Sequence, residues 1–216
     1  MSRIKCVVFD VGETLVDETR HWAAWADWLG VPHLTLFGAL GVTIERRANH
    51  REVFQLVRPG LDVEVETRRR HAAGWTYAFE PSDFYPDALP CITELAARGL
   101  KVGIAGNQPE AAEAALKHVG VPADFIASSA RWGVEKPSQA FFDRVCEAAN
   151  APAAEIAYVG DRLDNDVLPA RQAGMTAVFI RRGPWGVAQA GWPEVAEAHI
   201  RLESLAELPD ALAAHG

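Results

Sequence analysis

Hydrophobic and polar positions fall into two textures along this chain. The first apolar run, residues 4–9, is short and rich in β-branched residues, which predicts a buried strand. It ends on Asp10, Val11, Gly12, Glu13 and Thr14. From about Asp17 to Asp83 the spacing is helical. Trp22, Trp25 and Trp28 stand three apart on one stripe, where packing against a neighbouring helix is the expected role. Gly30, Pro32 and His33 break that helix. Residues 34–40 start a second, residues 43–57 carry a third that stops at Arg58-Pro59-Gly60, and residues 64–77 give a fourth.

From Phe84 the pattern changes to alternation of strand and helix. Helices are predicted at 86–98, 110–119, 138–150 and 167–173, closed or followed by Gly99, Gly120 and Gly174 among others. Strands are predicted at 101–105, 125–129, 156–160 and 176–180, with a short edge strand at 199–202. The stretch 181–186, with Trp185 in it, reads as a loop holding an aromatic plug. Such alternation predicts an α/β fold: a Rossmann-like parallel sheet with helices on both faces. The helical stretch is then an insertion after the first strand. The expected division is a core of residues 1–16 and 84–216 and an insert of residues 17–83.

Composition narrows the function. Of the 216 residues 49% are hydrophobic and 23% charged, enough apolar content to bury a core. A net charge of −8 argues against a nucleic-acid partner, whose phosphates require a basic face. No run of 18 apolar residues exists, so no membrane-spanning helix is expected. Cys6, Cys91 and Cys146 are widely spaced among apolar neighbours, without metal-site spacing, and read as reduced thiols of a cytoplasmic protein. The insert holds eight arginines, Arg70 among them, and no lysine. Guanidinium forks suit carboxylate and phosphate groups, although most of these are expected on a solvated helix face.

The chemistry collects at strand ends. Asp10 follows the first strand, Gly106-Asn107 the second, Lys136 the third, and Asp161 with Asp166 the fourth. In an open parallel sheet the carboxyl ends of the strands line one crevice. Three carboxylates gathered there repel one another, and a divalent cation with a taste for oxygen, most simply Mg²⁺, relieves the repulsion. A lysine beside them would hold an anionic group. That set suits phosphoryl transfer, including attack by a carboxylate.

Asp10-x-x-x-Thr14, Lys136-Pro137 and Gly160-Asp161-x-x-x-x-Asp166 resemble, in order and spacing, the motifs of the haloacid dehalogenase superfamily. Lys136-Pro137-Ser138-Gln139-Ala140-Phe141 and Ala170-x-x-Ala173-Gly174-Met175 resemble its phosphatase-like members. The resemblance spans about residues 4–182, and the insert resembles that superfamily's type 1 helical cap. It implies a hydrolase acting on a small phosphorylated substrate through an aspartyl-phosphate. Asp10 would be the nucleophile and a Mg²⁺ ligand, with the Gly12 carbonyl and Asp161 as further ligands and Asp166 supporting the metal. Lys136 would bridge nucleophile and phosphoryl group. Thr14 would hydrogen-bond within the nucleophile loop, and Gly106 and Asn107 would lie at the phosphate.

Two positions depart from that pattern. Gly12 stands where the superfamily's phosphatases place an acid/base aspartate, and Gly106 where they usually place Ser or Thr. Glu13 is a poor substitute for the acid, because neighbouring residues of an extended chain point to opposite sides. The expected enzyme is therefore a phosphatase of reduced power. Two alternatives stand beside it: a catalytically impaired module that binds a ligand or protein, and a hydrolase of carbon–halogen bonds. A dehalogenase proper would carry Tyr at the Gly12 position and no metal motif at Gly160-Asp161, so this branch is disfavoured.

Overall fold

The computed structural model describes residues 4–76 and 78–215. Six strands form one sheet: β1 Cys6–Phe9, β2 Lys101–Gly106, β3 Phe125–Ser128, β4 Ile156–Gly160, β5 Thr176–Ile180 and β6 Ile200–Leu202. Their order is β3-β2-β1-β4-β5-β6, and every neighbouring pair is parallel. Strands β1 and β4 are buried at every position. That is the burial expected of a parallel sheet covered by helices on both faces, and it explains why these runs are continuously apolar. The order reverses at β1, with β2 on one side and β4 on the other. Such a reversal opens a crevice at the carboxyl ends of the strands.

The chain divides into two compact units. One contains the first strand through Asp17 and resumes at Phe79; the other is Glu18–Ala78. In the first, Asp17 N–H donates to Asp83 O and Tyr85 N–H to Leu15 O, so both crossing segments are held by backbone bonds. In the second, Thr19–Leu29 buries Trp22 and Trp25 against Phe54, at 6.3 and 4.7 Å between ring centroids. Trp28 turns its indole N–H to Glu66 at 3.1 Å. The tryptophan stripe is packing, as its spacing indicated.

Several boundaries differ from those predicted. A single helix, His33–Glu45, runs through Gly38 and Gly41, because Leu36, Leu40 and Ile44 are buried along it. Their burial outweighs the roughly 1 kcal/mol that a mid-helix glycine costs. The expected helix over 43–57 is instead the end of that one, a 3₁₀ turn at His50–Glu52 and a short helix Val53–Val57. The fourth helix is Val63–Ala72, closed by Gly74 at φ +79°; Tyr77, its predicted end, lies outside the described residues. The stretch read as a loop at 181–186 starts a helix, Gly183–Gln189, with Pro184 in its first turn and Trp185 buried. Another helix, Leu208–His215, closes the described chain.

Candidate active site

The buried run of β1 delivers Asp10 to the crevice, where its N–H donates to Val159 O at 2.9 Å. The loop beyond it coils tightly: the N–H groups of Thr14, Leu15 and Val16 all reach Val11 O. Glu13 takes up a left-handed conformation, φ 54°, to allow this. That turn points its carboxylate away from the extended path, and Oε2 accepts the Tyr85 hydroxyl at 2.5 Å. Glu13 is thus committed to Tyr85. Gly12 is half-buried and bridges Val16. Thr14 is buried; its Oγ1 has no hydrogen-bond partner, and its carbonyl accepts from Arg182 Nη1 at 2.9 Å.

Lys136 lies at the centre of the site. Its Nζ, on a side chain only 1% exposed, donates to Asp10 Oδ1 at 2.6 Å and to Asp166 Oδ1 at 2.5 Å. The rings of Tyr158 and Phe141 stand 5.6 and 5.9 Å from that ammonium. Burial alone would discharge the lysine; Asp10 and Asp166 outweigh it and hold its pKa well above the ordinary value. The Lys136 main chain is gripped as well. Its N–H donates to Asn107 Oδ1 at 2.8 Å, and its carbonyl accepts from Asn107 Nδ2 at 2.9 Å.

Asp161 follows β4 directly and is 1% exposed. Its Oδ2 is sealed off with no hydrogen-bond partner. Burial first, and then the charges of Asp166, Asp10 and Glu13, push its pKa well up. Asp166 comes from a π-type turn, Leu163–Val167, a distortion often found where function needs a side chain re-aimed. Its Oδ2 accepts the Arg162 N–H at 3.1 Å, and its pKa is also raised, chiefly by burial. Carboxylate oxygens of Asp10, Asp161 and Asp166 lie within 4.8 Å of one another. Three buried carboxylates against one ammonium leave an excess of negative charge, and the unpartnered Asp161 oxygen offers a hard ligand. The residues fit a metal ion with oxygen preference.

Two glycines shape this pocket. A Cβ at Gly106 would overlap Asp10 Oδ1, and a Cβ at Gly160 would overlap the Asp166 side chain. The structure therefore brings Asp10, Lys136, Asp161 and Asp166 together, with Gly106 against the first and Asn107 on the backbone of the second. Sequence reading missed Tyr158, whose hydroxyl donates to Ala105 O at 2.7 Å behind the lysine. It also missed Arg182, which bonds Thr14 O and Asp87 and stacks 4.1 Å over Tyr85. The arginine-rich stretch holding Arg182 was the available signal.

Comparison with known proteins gives the chain's family. A protein of Methanopyrus kandleri named glyceraldehyde 3-phosphate phosphatase is 31% identical, over 84% of this chain and 86% of its own. The solved structure of a HAD phosphatase from Thermococcus onnurineus is 25% identical, with TM-score 0.61 over 97% of this chain and 98% of that one. A 2-haloacid dehalogenase from Pseudomonas syringae, 23% identical with TM-score 0.59 over 99% of this chain and all of its own, shares the fold. A family model described as haloacid dehalogenase-like hydrolase matches residues 4–174, from the first strand to the glycine before Met175. With that match laid over the strand-end carboxylates and their lysine, the chain belongs to the haloacid dehalogenase-like hydrolases.

Proposed function

We propose that this hydrolase is a Mg²⁺-dependent phosphatase of small phosphorylated metabolites, working through an aspartyl-phosphate on Asp10. The carrying observation is charge. Lys136 neutralises one of three buried carboxylates, and the remaining two negative charges match one divalent cation. Asp10, Asp161 and the Gly12 carbonyl, backed by Asp166, would hold Mg²⁺; when bound it supplies charge neutralisation at the phosphoryl oxygens.

The chain's own residues do the rest. Lys136 fixes Oδ1 of Asp10, while Oδ2 accepts no hydrogen bond among the described residues, on a side chain 11% exposed. Attack by that oxygen forms the Asp10 O–P bond as the bond from phosphorus to the leaving oxygen breaks. Water then cleaves the acyl phosphate and regenerates Asp10. The ammonium of Lys136 offsets the charge that builds on the phosphoryl group. Gly12 offers no acid, and Glu13, the next residue, has Oε2 engaged by the Tyr85 hydroxyl. Leaving groups that depart without a proton are therefore favoured. The relatives named glyceraldehyde 3-phosphate phosphatase support a small phosphorylated substrate. Free thiols, with Cys6 and Cys91 buried, suit the reducing cytoplasm. Among the described residues no helix is long and apolar enough to cross a membrane.

The test is phosphate release from p-nitrophenyl phosphate and acetyl phosphate, with Mg²⁺ or with EDTA, for the native chain and Asp10→Asn. Turnover that needs both Mg²⁺ and Asp10 is the expected result. Turnover surviving in Asp10→Asn overturns the covalent reading, and phosphate binding without turnover indicates a binding module instead.

A further inference from the structure

The unit Glu18–Ala78 contains an arginine without a counter-charge. Arg70, on the helix Val63–Ala72, is 6% exposed. Its guanidinium lies face-on over the Trp25 ring, 4.0 Å from the centroid. Among the described residues Nε is sealed off with no acceptor, and the ion pairs made on this helix are those of Glu64 and Glu66 with other arginines. The neighbouring acids are already engaged. Glu64 pairs with Arg51 at 3.1 Å, and Glu66 takes Arg69 at 2.7 Å as well as the Trp28 indole.

A desolvated, unpaired guanidinium is costly, and burial lowers the pKa of Arg70 accordingly. Its surroundings add to the imbalance. Beside it stands His21, on Thr19–Leu29, whose pKa is lowered by burial and then by the basic groups Arg70, His50 and Arg20. Trp25 is wedged on Phe54, so the surface under the guanidinium is fixed. Indole covers one face of the planar fork, and a guanidinium fork takes a carboxylate or phosphate through its edge in two parallel hydrogen bonds.

We propose that Arg70, seated on Trp25 within the basic surroundings of His21, is a binding site for a small oxyanion, a carboxylate or a phosphate. The site stands on the 18–78 unit alone and does not depend on hydrolysis at Asp10. The bound oxyanion supplies the acceptor that Arg70 lacks.

The test is an NMR titration of the intact protein with inorganic phosphate and, separately, with succinate. The readouts are the Trp25 indole N–H and the His21 ring; resonances near Asp161 report the strand-end site independently. The expected result is a saturable shift at Trp25 and His21, with the His21 midpoint moving up from about 4 as anion fills the site. The anion that saturates at lower concentration identifies the class. Arg70→Gln should abolish the shift. Arg70→Lys, which keeps the charge but not the fork, should weaken binding at least about tenfold. An absence of saturable shift with either anion overturns the proposal, as does an equal response in Arg70→Gln. Where Arg70→Gln fails to fold, unchanged affinity in Arg70→Lys overturns it.

Discussion

Asn107 and Lys136 hold each other by two hydrogen bonds, one from each partner, between the Asn107 amide and the Lys136 main chain. The two residues end different strand-to-loop segments and lie 29 positions apart. The bonds fix the backbone of the loop from which the lysine reaches Asp10. Asn107 is therefore a positioning residue in the first instance, and its amide oxygen and one amide hydrogen are already used.

Asn107→Ala removes both bonds. Each is worth about 1 kcal/mol net, with more at stake where a backbone group is left unsatisfied. Turnover on p-nitrophenyl phosphate should fall about tenfold or more, with KM changing much less, because the lysine loses its aim while the phosphate site stays open. Steady-state kinetics decide this. A change confined to KM would mean that Asn107 contacts the substrate directly.

Gly106 makes room for the nucleophile candidate. The Asp10 carboxylate occupies the space in which a Cβ at residue 106 would sit. Restoring a hydroxyl there by Gly106→Ser should lower activity, since Asp10 must swing off Lys136 to make room. The expected loss is about tenfold or greater in kcat, on the scale of a disturbed charged hydrogen bond worth about 1.5–3 kcal/mol. Gly106→Ala gives the control, because it adds the Cβ without the hydroxyl. A gain from the serine with a loss from the alanine would show that the hydroxyl contributes and the space is available.

The strand-end grouping was legible in the sequence because a parallel sheet sends all its carboxyl ends to one rim. Asp10 and Asp161 directly follow apolar runs of strand length, and Lys136 and Asp166 lie within a few residues of such strand ends, so their meeting follows from topology. The supporting contacts carry no such signal. Tyr158 sits inside an apolar run and looks like core, yet it backs the lysine ammonium. Arg182 finds its partners 168 and 95 positions away, at Thr14 and Asp87. The helix His33–Glu45 reads from sequence as two, broken near Gly41, because local propensity speaks for a break there, while the burial of Leu36, Leu40 and Ile44 is decided by tertiary packing. Glu13 was set aside for a reason that the chain does not follow. Its backbone is left-handed rather than extended, and it is the Tyr85 hydroxyl that takes it out of service.

Gly12→Asp tests the missing acid. A carboxyl at that position would protonate the departing oxygen, a contribution typically of about 10²–10⁴-fold when well placed. Placement will not be ideal in a loop whose tight turn holds glycine at this position, so a gain of about tenfold on an alkyl phosphate is expected. Acetyl phosphate, which leaves without needing a proton, should change little. Comparing kcat/KM for the two substrates isolates the acid from any general effect on folding. An equal change on both would mean that the substitution acts through the metal site or the loop.

The pH dependence of stability should carry the mark of His21. Burial first, and then Arg70, His50 and Arg20, lower its pKa from 6.5 to about 4. The unfolded chain therefore takes up a proton that the folded chain refuses between those two values. Stability associated with the neutral ring is complete above about pH 6.5 and is lost as pH falls toward 4. At about 1.4 kcal/mol per unit this amounts to at most about 3.5 kcal/mol, and less in practice because the ring keeps some contact with solvent. His21→Gln should flatten the fall in urea-derived unfolding free energy between pH 6.5 and 4, while leaving the curve above pH 7 parallel to that of the native chain. Saturating phosphate should flatten it too, if an oxyanion at Arg70 offsets the charge that the imidazolium meets. A slope that persists unchanged in His21→Gln would place the titrating group elsewhere.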